Sequence, residues 1–414
     1  MTTPAIDGNI SSAKTRWGSG YNGKKDKGDQ MKKAAIKALA LIFWIVSMTL
    51  TACVGTSGSS VKDGASDDNI SEDESVKTDI SDENAAEDDA QNTDPSDDEG
   101  DRYEPSEYEN TPFGKHGRLS VNGTDLVDKN GEKYQLYGMS THGLAWFPQY
   151  VNYDAFKTLR DGWNTNCVRL ALYTYEYGGY CNGGDQENLK NIIKSGVEYA
   201  DELGMYVIID WHVLHDQDPN VYKDEAIGFF DEITDLYKDH DNIIYEICNE
   251  PNTSADWNAV KSYAQAVIPV IRSNDSDAVI LVGSSTWSQD IDKALADPLE
   301  YDNLMYTLHF YANTHKEQLR QRAESCIESG LPVFISEFNI CDASGKGYVN
   351  VEEGDKWYEL IEKYNLSYMC WSLVSGPDSC NILSDGNSKT SGWTESDLSD
   401  SGKWLFEKFM AESD

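Results

Sequence analysis

From about Thr111 onward, strand-like and helical segments alternate along the chain, and this alternation limits the fold more than any other feature. The predicted strands are short runs rich in β-branched and aromatic residues: Tyr134–Met139, Asn166–Leu172, Tyr206–His212, Ile243–Glu250, Val279–Gly283, Leu304–Tyr311, Val333–Asn339 and Ser367–Leu373. The predicted helices carry apolar residues at helical spacing: Asn152–Asp161, Gln186–Leu203, Ala226–Lys238, Ala255–Ser273, Lys316–Ser329 and Val351–Tyr364. Eight strands alternating with helices predict an α/β fold, a closed (β/α)8 TIM barrel over residues 111–414.

The N-terminal segment has the features of an export signal. Residues 38–50, ALALIFWIVSMTL, form an apolar run that follows the basic start Met31-Lys32-Lys33 and is too short for a membrane span of about 20 residues. The run ends in LTAC, which resembles a bacterial lipobox with Cys53 as the lipidated residue. Residues 1–53 are therefore predicted to be an N-terminal extension and a lipoprotein-type signal peptide, with either Met1 or Met31 as the start. A plain signal peptide with an incidental cysteine is the alternative.

Residues 54–110 are predicted to be a disordered linker. Residues 61–110 carry 20 acidic side chains against 3 Lys and Arg, and large apolar residues are scarce. Such a segment cannot bury enough apolar surface to offset its chain entropy. The protein is thus expected outside the cell, tethered to the bacterial membrane through a lipid on Cys53, or secreted.

Charge and cysteine content exclude several classes of function. The net charge is −38, and no basic stripe follows residue 60, which argues against a nucleic-acid partner. Seven cysteines follow Cys53 without any CxxC pair, so neither a disulfide framework nor a zinc site is indicated. Cys167, Cys248 and Cys370 lie in strand-like runs and are predicted to be small core residues. We expect no cofactor and no metal, and a monomer.

Polar or aromatic residues lie within or at the ends of six of the predicted strands: Arg169, His212, Asn249, Glu250, His309, Tyr311, Glu337 and Trp371. A single residue of this kind often marks only the point where a strand reaches water. In a (β/α)8 barrel, however, the carboxyl ends of all the strands meet at one rim, where active sites form. The convergence of six such ends favours a catalytic site.

Two carboxyl groups at one rim are the machinery of glycoside hydrolysis, one acting as an acid and the other as a nucleophile or base. Glu250 and Glu337 are the candidate pair. Glu246 lies four residues before Glu250 and is expected to point into the barrel one layer deeper, as a structural partner of Arg169. Arg169 could also keep one catalytic carboxylate ionised.

The other polar strand ends can be given supporting roles. Asn249 is expected to bond the sugar 2-hydroxyl, and His309 and Tyr311 to orient and polarise the nucleophile. Trp371 is expected to form a floor on which a pyranose ring stacks.

The segments YEICNEPN, FISEFN, YVIIDWH, LHFYANTH and STHGLAWFPQY, together with GMSTHG and TWSQD, resemble glycoside hydrolase family 5 in its bacterial endoglucanase branch. The resemblance spans residues 113–410 and implies a retaining endo-β-1,4-glucanase, a cellulase whose partner is a β-glucan polysaccharide. It implies that Glu250 is the acid/base and Glu337 the nucleophile. It also implies supporting and sugar-contacting residues: Arg169, His212, Asn249, His309 and Tyr311, then His142, Trp146, Tyr173, Trp287 and Trp371.

One motif departs from the family. Gly376 stands where relatives have a sugar-binding lysine after the last strand, and Asp378 stands near their glutamate. Weaker sugar contacts on that side are therefore expected. Two alternatives stay open: the same mechanism on mixed-linkage glucan, mannan or xylan, and a non-catalytic glycan-binding surface lipoprotein.

Overall fold

A computed structural model describes residues 108–412, which form a closed barrel of eight parallel strands. The barrel strands are β3 (Tyr137–Thr141), β4 (Cys167–Tyr173), β5 (Tyr206–His212), β6 (Ile243–Glu246), β7 (Val279–Val282), β8 (Leu304–Tyr311), β9 (Val333–Asn339) and β10 (Tyr368–Leu373). Their order around the barrel is β10-β3-β4-β5-β6-β7-β8-β9. An antiparallel hairpin of β1 (Ser120–Asn122) and β2 (Asp125–Val127) precedes them. The predicted (β/α)8 fold is confirmed.

The helices of the described chain are α1 (Pro112–His116), α2 (Tyr153–Lys157), α3 (Gln186–Glu202), α4 (Lys223–Leu236), α5 (Trp257–Asn274), α6 (Ser285–Ser288), α7 (Ile291–Ala296), α8 (Glu317–Glu328), α9 (Val351–Tyr364) and α10 (Asp400–Phe409). Several begin after a side chain that accepts a hydrogen bond from a backbone N–H of the first turn: Asn152, Asp185, Asp256, Asn350 and Ser399. Each predicted helix is present; α9 agrees residue for residue, and the others differ by one to four residues at one or both ends. The short segment α6 is not a regular helix, because residues 286–288 have positive φ.

Alternation of side chains along each strand sorts the core into two main parts. One face of β5 packs outward, where Val207 and Ile209 join the large cluster between barrel and helices. The other face packs inward, where Ile208 joins residues from six other strands and from the hairpin. The hairpin residues Leu119 and Leu126 belong to this inner cluster, so the hairpin closes the amino end of the barrel.

The inward-facing residues change from apolar to ionisable one layer closer to the carboxyl ends of the strands. Apolar residues at the amino end are followed two positions later by ionisable ones, namely Cys167 by Arg169, Ile208 by Asp210 and Ile244 by Glu246. All three ionisable side chains have no exposed surface. Buried charges are stable only when they are paired and hydrogen-bonded, so the middle of the barrel is a layer of ion pairs beneath the active rim.

Five of the eight strands differ from their predicted limits, and β9, whose limits are as predicted, departs from regular pairing. β6 ends at Glu246, so the predicted strand Ile243–Glu250 is four residues too long and Glu250 lies in the following loop. The backbone N–H of Glu250 donates to the carbonyl of Val213, which holds this loop against the chain after β5. In β9 the register with both neighbours shifts, because β9 contains one more residue than β8 or β10 over the same stretch.

The predictions for residues 1–107, including the signal segment, Cys53 and most of the linker, lie outside the described residues. Tyr108–Asn110, which were assigned to the linker, are described, and the Thr111 hydroxyl donates to the Tyr108 carbonyl. Within residues 108–412 none of the helices is both long and apolar enough to span a membrane. All seven cysteines of this region are free, and Cys167, Cys248 and Cys370 are buried as predicted.

Gly138 allows β3 and β4 to approach each other closely. It pairs with Cys167, and a Cβ atom added to it would collide with the Cys167 carbonyl. We expect Gly138→Ala to destabilise the fold by about 1–3 kcal/mol or more, because the obstructing atom belongs to the backbone. Thermal unfolding measures this. Gly228→Ala is the matched control, since Gly228 lies in α4 with no heavy atom within 4 Å of the added Cβ, and it should raise stability slightly. Equal effects of the two changes would contradict the packing argument.

Candidate active site

A cleft of about 710 Å³ opens at the carboxyl ends of the barrel strands. Nine of the residues predicted for the site line it: His142, Tyr173, His212, Glu250, Trp287, His309, Tyr311, Glu337 and Trp371. Arg169 and Asn249 lie beneath the floor with no exposed surface, and Trp146 lies beside the cleft. The structure therefore brings the candidate residues together at one rim.

The two candidate catalytic carboxyl groups face each other across this cleft. Glu250 is 8% exposed and Glu337 5% exposed. One oxygen of each carboxyl group and one ring nitrogen of His309 all lie within 4.8 Å of one another. Two carboxyl groups this close interact strongly, so their protonation states are linked.

Glu337 has the surroundings of a carboxylate held in one position. The hydroxyl of Tyr311 donates to Glu337 Oε1 at 2.8 Å, and Arg169 Nη1 lies 3.5 Å from Oε2. Burial and the charge of Glu250 raise the pKa of Glu337, while the cations His309 and Arg169 oppose this shift. Ionisation of one carboxyl group of the pair is therefore favourable, whereas ionisation of the second costs free energy because the two negative charges repel each other.

His309 contacts the other carboxyl group. Its Nδ1 lies 3.0 Å from Glu250 Oε1, and its Nε2 lies 2.9 Å from the hydroxyl of Ser336. Burial alone lowers the pKa of His309, but the contacts with Glu246 and Glu250 outweigh it and raise the pKa to about 9. The prediction that His309 orients the nucleophile is wrong as regards direct contact, because its ring bonds Glu250 and not Glu337, although its charge acts on Glu337.

Arg169 is the centre of the buried ion-pair layer. Its Nε donates to Glu246 Oε2 at 2.7 Å, and its Nη2 lies 3.0 Å from Asp210 Oδ2 and 2.7 Å from Asn249 Oδ1. The pairing of Arg169 with Glu246 is the one predicted. Arg169 and His309 outweigh the effect of burial on Glu246 and lower its pKa to about 2.

Asn249 does not reach the cleft. Its amide oxygen accepts from Arg169, and its amide nitrogen lies 3.2 Å from both His212 Nε2 and the Val213 carbonyl. Both ends of the amide are engaged and Asn249 has no exposed surface, and its predicted contact with a sugar hydroxyl stays a prediction. In this structure it links Arg169 to His212.

Four rings form one wall of the cleft. His212 stacks on Trp371 with ring centres 5.2 Å apart and 20° between the planes, and Tyr173 lies 4.0 Å from His212. His142 lies 5.0 Å from Trp371. Burial, together with the positive charge of Arg169 on His212 and the neighbouring His212 on His142, lowers the pKa of both histidines to about 4. These rings are therefore neutral at neutral pH and present an uncharged surface.

Two exposed tryptophans flank the cleft. Trp146 follows β3 and Trp287 follows β7, which are four strands apart in the eight-stranded barrel, so they lie on opposite sides. Trp287 is 39% exposed, and its backbone has a φ of 53° between Thr286 and Ser288, which also have positive φ. Left-handed backbone costs a non-glycine residue about 1–2 kcal/mol, so this turn is held by its contacts. The backbone N–H of Trp287 donates to the Pro251 carbonyl.

Some residues of the site were not predicted. Asp210 could have been found, because it lies two residues before His212 on the same strand face, and its Oδ2 lies 2.6 Å from His212 Nδ1. Ser336 precedes Glu337, and alternation counted from Glu337 would turn it away from the barrel interior. Gln289, His315 and Ser344 line the cleft from loops, where the sequence has no periodicity to indicate direction.

Asp378 also lines the cleft, on the side where the sequence departs from the family at Gly376. Its carboxylate lies 3.5 Å from Lys346 Nζ, a cation from the loop after β9. Reduced sugar binding on this side stays a prediction.

Within residues 108–412, Glu250, His309 and Glu337 are the group that offers three closely spaced atoms suitable for a metal ion. A histidine binds a metal through an unprotonated nitrogen. The raised pKa of His309 keeps its ring protonated between two hydrogen-bond partners, so the donor set fits proton sharing better than metal binding.

A family model described as cellulase, glycosyl hydrolase family 5, matches residues 127–376. The chain belongs to this family. It is 48% identical over 296 residues to endoglucanase A of Butyrivibrio fibrisolvens and 46% identical over 301 residues to an endoglucanase of Clostridium saccharobutylicum. These matches cover 71% and 72% of this chain and 68% and 66% of the relatives.

Solved structures of family 5 enzymes have the same barrel. The cellulase Cel5C_n is 43% identical with a TM-score of 0.70, covering 73% of this chain and 95% of the other. A variant of the catalytic domain of Thermobifida fusca endoglucanase Cel5A, solved with cellotetraose, is 32% identical with a TM-score of 0.70, covering 73% of this chain and all of the other. The predicted family is confirmed, and this family 5 protein is a glycoside hydrolase.

Tyr311→Phe tests the hydrogen bond that holds Glu337. A hydrogen bond to a charged group is worth about 1.5–3 kcal/mol, so kcat should fall roughly 10- to 150-fold if the bond acts in the transition state. Steady-state kinetics on a soluble β-glucan measure this. Tyr206→Phe is the control, because the Tyr206 hydroxyl donates to the Gly117 carbonyl at the opposite end of the barrel. An unchanged kcat in Tyr311→Phe would contradict the role given to Tyr311.

Proposed function

We propose that this family 5 enzyme is a retaining endo-β-1,4-glucanase that cleaves internal bonds of cellulose-type polymers by double displacement. The observation that carries the proposal is the close approach of Glu250 and Glu337, each with a different set of partners. Retaining enzymes place their carboxyl groups about 5–5.5 Å apart, whereas inverting enzymes leave a gap of about 6.5–9.5 Å for water. The names of the endoglucanase relatives favour a β-glucan as the substrate.

In the first step Glu337 attacks the anomeric carbon while Glu250 protonates the departing glycosidic oxygen. Tyr311 and Arg169 contact the two oxygens of Glu337 and favour its ionised form. His309 holds the carboxyl group of Glu250 at Oε1. The bond from Glu337 to the sugar forms as the glycosidic bond breaks, and the leaving chain departs as an alcohol.

In the second step Glu250, now ionised, takes a proton from water, and the resulting nucleophile attacks the anomeric carbon of the glycosyl–enzyme. The ester to Glu337 breaks and the sugar is released with its original configuration. His309 contacts Glu250 in both steps, so the two can share the proton that is given and then recovered.

The flanking tryptophans support cleavage within a chain. Trp146 and Trp287 lie on opposite sides of the barrel with the carboxyl pair between them. Exposed aromatic faces suit pyranose rings, which have apolar faces. A polymer that continues past the carboxyl pair in both directions would be cut at internal bonds.

The full chain should release reducing sugar from soluble cellulose and lower the viscosity of the solution early in the reaction, because internal cuts shorten chains fastest. Mixed-linkage glucan, mannan and xylan are assayed in parallel. A clear preference for mannan or xylan would overturn the substrate while leaving the mechanism. An absence of activity on all four polymers would favour the glycan-binding alternative.

Glu337→Gln should reduce turnover by several orders of magnitude, because an amide cannot form the glycosyl ester. Proton NMR of the products of the unaltered enzyme should detect the β-anomer first, as retention requires. Glu324→Gln is the control, since Glu324 lies on α8 and bonds Lys363 of α9, outside the barrel strands. Substantial activity in Glu337→Gln, or initial release of the α-anomer, would exclude double displacement through Glu337.

We further propose that the enzyme is a surface lipoprotein attached through Cys53. The supporting observation is LTAC at the end of an apolar run of signal-peptide length. Labelled palmitate should be incorporated by the full chain in a bacterial host and not by Cys53→Ser. Export and cleavage without labelling would indicate a plain signal peptide.

A further inference from the structure

The hydroxyl of Ser336 lies between two ionisable groups of the barrel. Ser336 Oγ donates to Glu246 Oε1 at 2.7 Å, and His309 Nε2 lies 2.9 Å from the same hydroxyl oxygen. Direct contact between His309 Nε2 and Glu246 Oε1 is longer, at 3.8 Å. Ser336 has no exposed surface and therefore joins the buried ion-pair layer to the ring that contacts Glu250.

Ser336 lies two positions after Phe334 of the inner cluster and therefore faces the barrel interior, and an extra residue in β9 lets Glu337 face the interior as well. Against β8, Thr307 pairs with Phe334 and His309 with Glu337, so β9 uses three steps where β8 uses two. Against β10, the same extra step falls between Ile335 and Phe338. The two shifts have residue 336 in common. A bulge of this kind can turn consecutive side chains toward one face of a sheet, here Ser336 and Glu337 toward the barrel interior.

The hydrogen-bond donors and acceptors around His309 determine which of its ring nitrogens carries a proton. A serine hydroxyl has one hydrogen, and Ser336 gives it to Glu246, so its oxygen can only accept from the imidazole. Nε2 must then carry a hydrogen whether the ring is neutral or charged. Nδ1, which faces Glu250 Oε1, is left as the nitrogen where a proton can be gained or lost.

We propose that Ser336 is a positioning residue that keeps His309 Nε2 protonated, so that His309 exchanges its proton only through Nδ1, with Glu250. One proton then lies either on Nδ1 or on the Glu250 carboxyl group, and the ring keeps its orientation in both states. The inference rests on the proposed role of Glu250 as acid/base. It extends that role by naming the residue that confines the proton to the reacting side of the ring.

The other charged groups around His309 are consistent with this arrangement. Glu246 and Glu337 face the ring from β6 and β9, and the charge of His309 acts on Asp210 of β5. Arg169 of β4 lies between Asp210 and Glu246 and bonds both. The carboxylates favour a protonated ring. Glu246 is the one among them that the Ser336 hydroxyl connects to His309 Nε2.

The test follows the tautomer of His309 in the full chain by ¹⁵N NMR of ring-labelled protein, with His309→Gln used to assign the signal. In the unaltered enzyme, the neutral ring at alkaline pH should be the Nε2–H form. In Ser336→Ala the tautomer preference should be lost, and the ring pKa should fall by about 1–2 pH units, the equivalent of one charge-assisted hydrogen bond. Ser336→Thr retains the hydroxyl and should restore both properties.

Ser284→Ala is the matched control. Ser284 is also buried at the carboxyl side of a barrel strand, but its hydroxyl has no hydrogen-bond partner among the described residues. The same chemical change there should leave the His309 signal unaltered. Thermal unfolding of each variant checks that all are folded at the temperature of the measurement.

Kinetics give the second readout. The alkaline limb of the kcat/KM profile should move to lower pH in Ser336→Ala and stay in place in Ser336→Thr and Ser284→Ala, because the shared proton is lost earlier when the ring pKa falls. An unchanged tautomer and ring pKa in folded Ser336→Ala would overturn the proposal. The NMR result does not depend on turnover, so it is separate from any failure of the enzyme to cleave a β-glucan.

Discussion

The guanidinium of Arg169 is the interaction on which the rest of the barrel interior depends. It has no exposed surface, and it contacts Glu246, Asp210, Asn249 and Glu337. Removing a guanidinium from water costs several kcal/mol, and opposite charges with well-placed hydrogen bonds must offset this. A planar group with five donors can contact partners from several strands at once, which an ammonium cannot do. Without this cation, Asp210 and Glu246 would lose the positive charge that contacts both of them.

The balance of charge along the barrel axis bears on how the enzyme acts as an acid. Burial and Glu246 raise the pKa of Asp210 well above its usual value in spite of Arg169, whereas Arg169 and His309 lower the pKa of Glu246. The pair of His309 and Glu250 shares the proton that acid catalysis needs, and Arg169 offsets the charge of Glu246 beneath this pair.

The sequence predicted the barrel because its signals are local and repeated. The strand limits of β5, β8 and β9 agree residue for residue, since each is a run of β-favouring residues with a sharp end. The chain after Glu246 was harder to predict, because Ile247 and Cys248 look like strand and single backbone hydrogen bonds to β5 and β7 continue there, but the regular strand ends at Glu246. Whether a segment pairs as a strand depends on the segments that lie beside it in the fold, and the periodicity of its own sequence does not reveal these neighbours.

The active site, like the fold, could be predicted only in part. Residue types at the strand ends indicated which side chains converge, but they did not indicate which contacts which. His309 therefore received the wrong carboxyl partner. Ser336 was missed because one extra residue in β9 breaks the alternation used to assign faces. The left-handed backbone at Trp287 is similarly invisible, since neither Thr286 nor Ser288 is a residue that favours positive φ.

The electrostatics of the site are divided between its axis and its wall. Arg169 and the protonated His309 lie near the axis among carboxylates, whereas His142 and His212 in the aromatic wall have pKa values lowered to about 4. Gly143 N–H donates to His142 Nδ1, so the proton of that neutral ring lies on Nε2. A wall of neutral rings can stack against an uncharged sugar without a desolvation cost for ions. The charged groups near the axis act only where charge develops, at the anomeric carbon and the departing oxygen. This division allows one cleft both to hold a neutral polymer and to polarise a single bond within it.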